Sequence, residues 1–111
     1  VIDHRDRLSK DPDTDIHSQG IISFTVQLPG IFDPHRITRY LDQIPDSVYR
    51  LKGVVRIAGM KQAQLLQYVS GRYELTNHYG SGIEPNTLVF IGRDMNREEL
   101  QDRLRACLAD I

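Results

Sequence analysis

The chain of 111 residues has one cysteine, Cys107, so no internal disulfide can staple its fold. Such sparing use of cysteine suits a reducing compartment, and the expected location is the cytoplasm. No apolar run approaches the roughly 18 residues that cross a bilayer, so no membrane partner is expected. The first twenty residues carry no signal-peptide pattern, and Val1 at the start is what a chain cut from something longer would show. An excess of one charge is also lacking. Fourteen Lys and Arg stand against 15 Asp and Glu, net −1, which falls short of the basic balance of a nucleic-acid binder. No GxxxxGKS/T motif occurs. Lys52-Gly53 has the reverse order and sits inside a strand pattern, so it cannot wrap a phosphate. The HYGSG run from His78 lacks the strand-turn-helix setting of an anion loop and reads as an ordinary connection. None of the four histidines lies within five residues of another or of Cys107, so the tight pairs of a structural zinc site are missing.

The composition that remains is that of an ordinary globular domain, with 40% apolar and 26% charged residues. Residues 1–20 have no sustained periodicity and hold five Asp against Arg5, Arg7 and Lys10, so a flexible Asp-rich linker or arm is expected. His4 and His17 stand there among Asp3, Asp6, Asp13 and Asp15. They are the candidate metal ligands, for a weakly held divalent ion, beside the plainer reading of a solvated tail. The folded domain is expected over 21–111. IISFTVQL alternates as a half-buried strand and ends at Pro29-Gly30. Asp33 is a helix cap with Pro34 after it, and Ile37, Tyr40, Leu41 and Ile44 follow at helical spacing. Strands are expected over Val48–Ala58, over Gln64–Tyr73 with a bulge or bend at Ser70-Gly71, and over Thr87–Ile91. Asn96 and Glu99 form a capping-box-like start to a last helix, whose buried stripe is Leu100, Leu104, Cys107, Leu108 and Ile111. The order β-α-β-β-β-α predicts an α+β two-layer sandwich. Its sheet should be mainly antiparallel with about four strands, and both helices should lie on one face.

No catalytic constellation emerges, and the isolated chain is not expected to be an enzyme. Cys107 lies on a buried stripe far in sequence from any histidine, as a small core residue would. Residues 33–72 hold seven Lys and Arg against three Asp, net +4. In VYRLKGVV, Tyr49, Leu51 and Val55 are expected to face the helices, with Gly53 leaving room for a close approach. Arg50 and Lys52 then face outward with Arg56, and these three are the candidate partner-binding residues. An RNA-binding sheet would add exposed aromatics for base stacking. Only Tyr68 or Tyr73 could serve, so nucleic acid is not the expected partner.

The run GIFDPHRITRYLDQIPDSVYRLKGVVRIAG resembles the beginning of the CobW C-terminal domain. There a Pro-containing helix start leads, after a short helix ending in Pro, into an Arg-x-Lys-Gly strand. GIISFTV is similar to the family's first strand. LVFIGRDMNREELQDRLRACL resembles its ending, an apolar strand, Ile-Gly and a helix with Leu at helical spacing. Together the resemblance covers about residues 20–108. It implies an accessory domain of a GTP-hydrolysing metallochaperone or cobalamin-biosynthesis protein active in metal homeostasis. The GTPase motifs and a cysteine-rich metal motif would lie upstream. GTP, Mg and a transition metal such as zinc or cobalt belong to that parent protein, and no cofactor is expected in this chain. The implied partners are the protein's own N-terminal GTPase domain, another subunit in a homo-oligomer, or a client metalloprotein. Many members carry a histidine-rich stretch before this domain, and this sequence departs from that pattern with only His4 and His17. The alternative is a stand-alone small binding module for a metal ion or small ligand.

Overall fold

Alternation in IISFTVQ produces a strand in which Phe24 and Val26 are buried and Gln27 is exposed. The computed structural model describes residues 14–16, 20–80 and 82–110. Along the chain it places Thr14–Ile16 (β1), Ile21–Gln27 (β2), Pro34–Asp42 (α1), Val48–Val55 (β3), Gln64–Val69 (β4), Arg72–Asn77 (β5), Thr87–Arg93 (β6) and Arg97–Arg105 (α2). The strands form one six-stranded sheet in the order β1-β2-β6-β3-β4-β5. Every neighbouring pair is antiparallel. Both helices pack on one face, which is the expected α+β two-layer sandwich.

The strand count exceeds the expected four for two reasons. Ser70 and Gly71 both take positive φ, 46° and 90°, and form a two-residue reversal. Gln64–Tyr73 is therefore a hairpin of β4 and β5 rather than one bent strand. In addition, Thr14–Ile16 pairs with Ile22–Phe24 of β2, inside the segment expected to be an arm. Residues 1–13 and 17–19, with His4 and His17, lie outside the described residues.

Both helices start at the caps their sequences announce. The Arg36 amide donates to Asp33 Oδ2 at 3.0 Å, and the Glu99 amide donates to Asn96 Oδ1 at 3.0 Å. Ile37, Tyr40 and Leu41 of α1 and Leu100 and Leu104 of α2 enter one core with Phe24, Leu51, Leu66, Leu88 and Phe90. Phe24 and Phe90 stack with centroids 5.0 Å apart, and the Arg97 guanidinium sits 5.3 Å above Phe24. The buried Tyr40 hydroxyl donates to the Leu100 carbonyl at 2.9 Å and ties the helices together. Burial pushes the Tyr40 phenol well above its ordinary range. The last helix stops at Arg105, so Cys107 and Leu108 belong to the segment after it, and Ile111 is outside the described residues. That segment is stitched to the loop before α1, with the Asp33 amide donating to the Cys107 carbonyl and the Ala109 amide to Ile31.

β3 departs from simple alternation. Val48 is opposite Gly92 and Arg50 is opposite Ile91, so Tyr49 is an extra, bulged residue. The bulge changes the phase, turning Val48 into the core and leaving Tyr49 exposed, the reverse of the expected facing. Leu51, Gly53 and Val55 keep the inward phase. A Cβ on Gly53 would overlap the Thr87 carbonyl oxygen and approach Leu88 Cα to 2.8 Å, so glycine is needed where β3 and β6 come together. The strand ends at Val55, short of the expected Ala58. At that end the buried Asn86, with φ of 63°, accepts from the Arg56 amide at 2.9 Å and donates to the Gly30 carbonyl at 2.6 Å.

Candidate functional site

The sheet face away from the helices carries residues from four central strands in three cross-strand rows. Thr87, Val54 and Leu65 form one row, Thr25, Val89, Lys52 and Gln67 the second, and Ser23, Ile91, Arg50 and Val69 the third. Antiparallel sheets with one solvated face usually alternate apolar-in, polar-out. Here the outer positions include Val54, Leu65, Val69, Val89 and Ile91. They line a groove of about 550 Å³, into which Ile83 also reaches from the loop before β6. Val69 and Ile83 remain 47% and 51% exposed. Val54 is fully covered and Leu65, Val89 and Ile91 are half-buried, so the solvent-facing apolar part of the groove is chiefly Val69 and Ile83, on a floor of the kind interaction sites use.

Arg50 and Lys52 are exposed on this floor, and both line the groove. Their cross-strand neighbours are Ile91 and Val69 for Arg50 and Val89 and Gln67 for Lys52, so no carboxylate stands opposite either cation. The nearest acid in the row is Glu74, one strand further out and opposite Gln67. A cation on an apolar floor lays its alkyl stem on that floor and holds its charge at the rim. The arrangement is chemically complementary to a surface that brings apolar side chains and at least one carboxylate.

Arg56 does not join this pair. It follows the last residue of β3, is exposed, and borders a separate hollow with Gln27, Pro29, Glu84 and Asn86. Its expected facing assumed a strand that continued through Ala58. Tyr68 is 4% exposed and Tyr73 is packed against the core, both on the helix side, so neither offers the open face a stacking surface. Among the described residues no group of three or more His, Cys, Asp or Glu side chains could hold a metal ion. Cys107 is a buried core thiol, with Sγ 3.4 Å from the carbonyls of Arg36 and Arg103. Burial pushes it up to about 11, a rise that the Arg36 guanidinium partly opposes and Asp33 adds to, so it is a poor nucleophile at neutral pH.

Residues 21–108, which hold both helices, five of the strands and the whole groove, match the family described as cobalamin synthesis protein cobW C-terminal domain. The chain belongs to the CobW C-terminal domain family. Among solved structures, this CobW domain is similar to the Zn(II)-bound YjiA GTPase from E. coli, with TM-score 0.65 and 26% identity. It is similar also to a Zn(II)-bound triple mutant of YjiA GTPase, with TM-score 0.66 and 27% identity. In each case the likeness covers 81% of this chain and 30% of the other. Comparison with curated proteins gives no significant match. Among the described residues of the CobW domain no helix is long and apolar enough to cross a membrane.

The apolar floor is the feature that inspection of single residues missed. Its signal is in the sequence: LVFI in β6 is apolar at four successive positions, which gives an antiparallel strand two apolar faces.

Proposed function

We propose that this CobW domain is the non-catalytic C-terminal part of a GTP-binding metallochaperone or cobalamin-biosynthesis protein of the cytoplasm. It works by docking its open sheet face on the GTPase domain of the same protein. The observation that carries the reading is the apolar floor of Val54, Leu65, Val69, Val89 and Ile91 beneath the rim cations Arg50 and Lys52. The similar solved chains are about three times as long as the region they share with this one, which leaves a large remainder available to cover such a floor. On this reading GTP, Mg and the transition metal are handled outside the domain, and the nucleotide state governs what the sheet face touches. Such coupling needs the face to be bound more tightly in one state than in the other.

The test exchanges Arg50 and Lys52 for Glu in the intact protein. The expected result is a changed GTP turnover with unchanged thermal stability of the domain. A change confined to the oligomeric state would move the docking to another subunit, and a loss confined to client binding would move it to a client. Unchanged turnover, assembly and client binding would remove the proposal. A second reading, a small binding module, draws on the groove's size, which lies in the range of small-molecule sites. Zinc titration and a thermal-shift screen of small apolar anions, both without response, would end it.

A further inference from the structure

The helix layer, on the other side of the sheet from the apolar floor, carries a second and separate hollow. It lies between α1 and α2 and has a volume of about 250 Å³. Three arginines, Arg36, Arg39 and Arg103, line it, and no Asp or Glu does. Its floor is apolar, with Tyr40, Ile44 and Leu100 among the lining residues, and the Tyr40 hydroxyl is already spent on the Leu100 carbonyl. Arg36 is held in place by the Leu108 carbonyl at 3.0 Å and by Asp110 at 3.4 Å. Arg103 meets Glu99 at 3.4 Å with both side chains more than half exposed, a pair weak enough to exchange for another carboxylate. Arg39 is exposed and forms no ion pair with a described residue.

We infer that this hollow is a second docking site, for an acidic segment of a partner protein that inserts an apolar anchor between the helices. Arginine is suited to the role because its planar fork meets carboxylates in paired hydrogen bonds and is only weakly hydrated. The hollow is too small for a folded domain and large enough for one or two side chains, which is the size of an interface anchor pocket. A nucleic acid is disfavoured because no exposed aromatic ring borders the arginines. Since the two hollows lie on opposite layers, the acidic segment can bind while the sheet face is covered. The inference does not depend on what covers that face.

The experiment uses the intact protein and a short fluorescent peptide of interspersed Glu and Leu, with a Gln-for-Glu version as control, read by anisotropy. The Glu peptide is expected to bind at least about tenfold more tightly than the Gln peptide, and to weaken with added salt. Arg39→Glu with Arg103→Glu should abolish that preference, while Arg50→Glu with Lys52→Glu should leave it intact. Arg39 and Arg103 are both exposed, so the fold should survive. Should the double reversal not fold, Arg39→Gln with Arg103→Gln removes the charges without adding any and reads the same outcome. The inference is overturned if there is no preference for the Glu peptide, or if the preference persists without Arg39 and Arg103. It is equally overturned if inorganic phosphate displaces the peptide at low concentration, because the hollow would then be a small-anion site.

Discussion

Gly53 is the residue on which the join between β3 and β6 turns. The clash its Cβ would make is with backbone, the Thr87 carbonyl and Leu88 Cα, and not with the flexible end of a side chain. Gly53→Ala should therefore cost about 3 kcal/mol, at the upper end of overpacking effects, read as a fall in the urea midpoint. Cys107 makes a prediction of a different kind. Its thiol rises from 9.0 to about 11 on folding, so the neutral form is the one the folded state favours. As pH climbs above about 9, the unfolded chain gives up this proton first, and stability is lost until the folded thiol also ionises near 11. Below that window the contribution is fully present. Tyr40, also raised, acts in the same direction at more alkaline pH. The thermal midpoint should fall between pH 9 and 11, and it should fall less in Cys107→Ala.

At the scale of elements, what the sequence announced locally it announced well. Asp33-Pro34 and Asn96 with Glu99 mark helix starts because capping is a contact between near neighbours in the chain. The alternation of β2 survives folding because both its faces keep one phase from end to end. What failed were features decided by pairing partners. A bulge at Tyr49 adds one residue against the distant partners Ile91 and Gly92, and nothing in VYRLKGVV records it. Ser70-Gly71 has the composition of either a bulge or a reversal, and only the pairing of β4 with β5 decides between them. The same limit applied to the site. Arg50 and Lys52 were legible as outward cations, but Arg56 was drawn in with them by a strand read too long. The reversal itself can be improved. Both of its residues have positive φ, a conformation that Asn tolerates better than Ser. Ser70→Asn should stabilise the hairpin by about 0.5 kcal/mol, measured by thermal or urea unfolding.

At the scale of the whole molecule, a two-layer sandwich buries one face of its sheet and must account for the other. The helices take the inner face, and the outer face keeps an apolar floor edged by Arg50 and Lys52. In the CobW domain that floor is the strongest reason to expect a covering partner. Val69 gives the most direct test, because it lines the groove and is 47% exposed in the domain itself. A thiol placed there by Val69→Cys reports on cover when its labelling is read by mass spectrometry on the peptide that holds residue 69, apart from native cysteines such as the buried Cys107. Tyr79→Cys, at a position 76% exposed and outside the groove lining, serves as the open reference. The measurement is the rate of maleimide labelling of each variant in the intact protein at neutral pH. Docking of the sheet face predicts that the Val69→Cys thiol labels at least about tenfold more slowly than the Tyr79→Cys thiol, and that adding Arg50→Glu and Lys52→Glu restores its rate. Equal labelling of the two thiols in the intact protein would contradict the account.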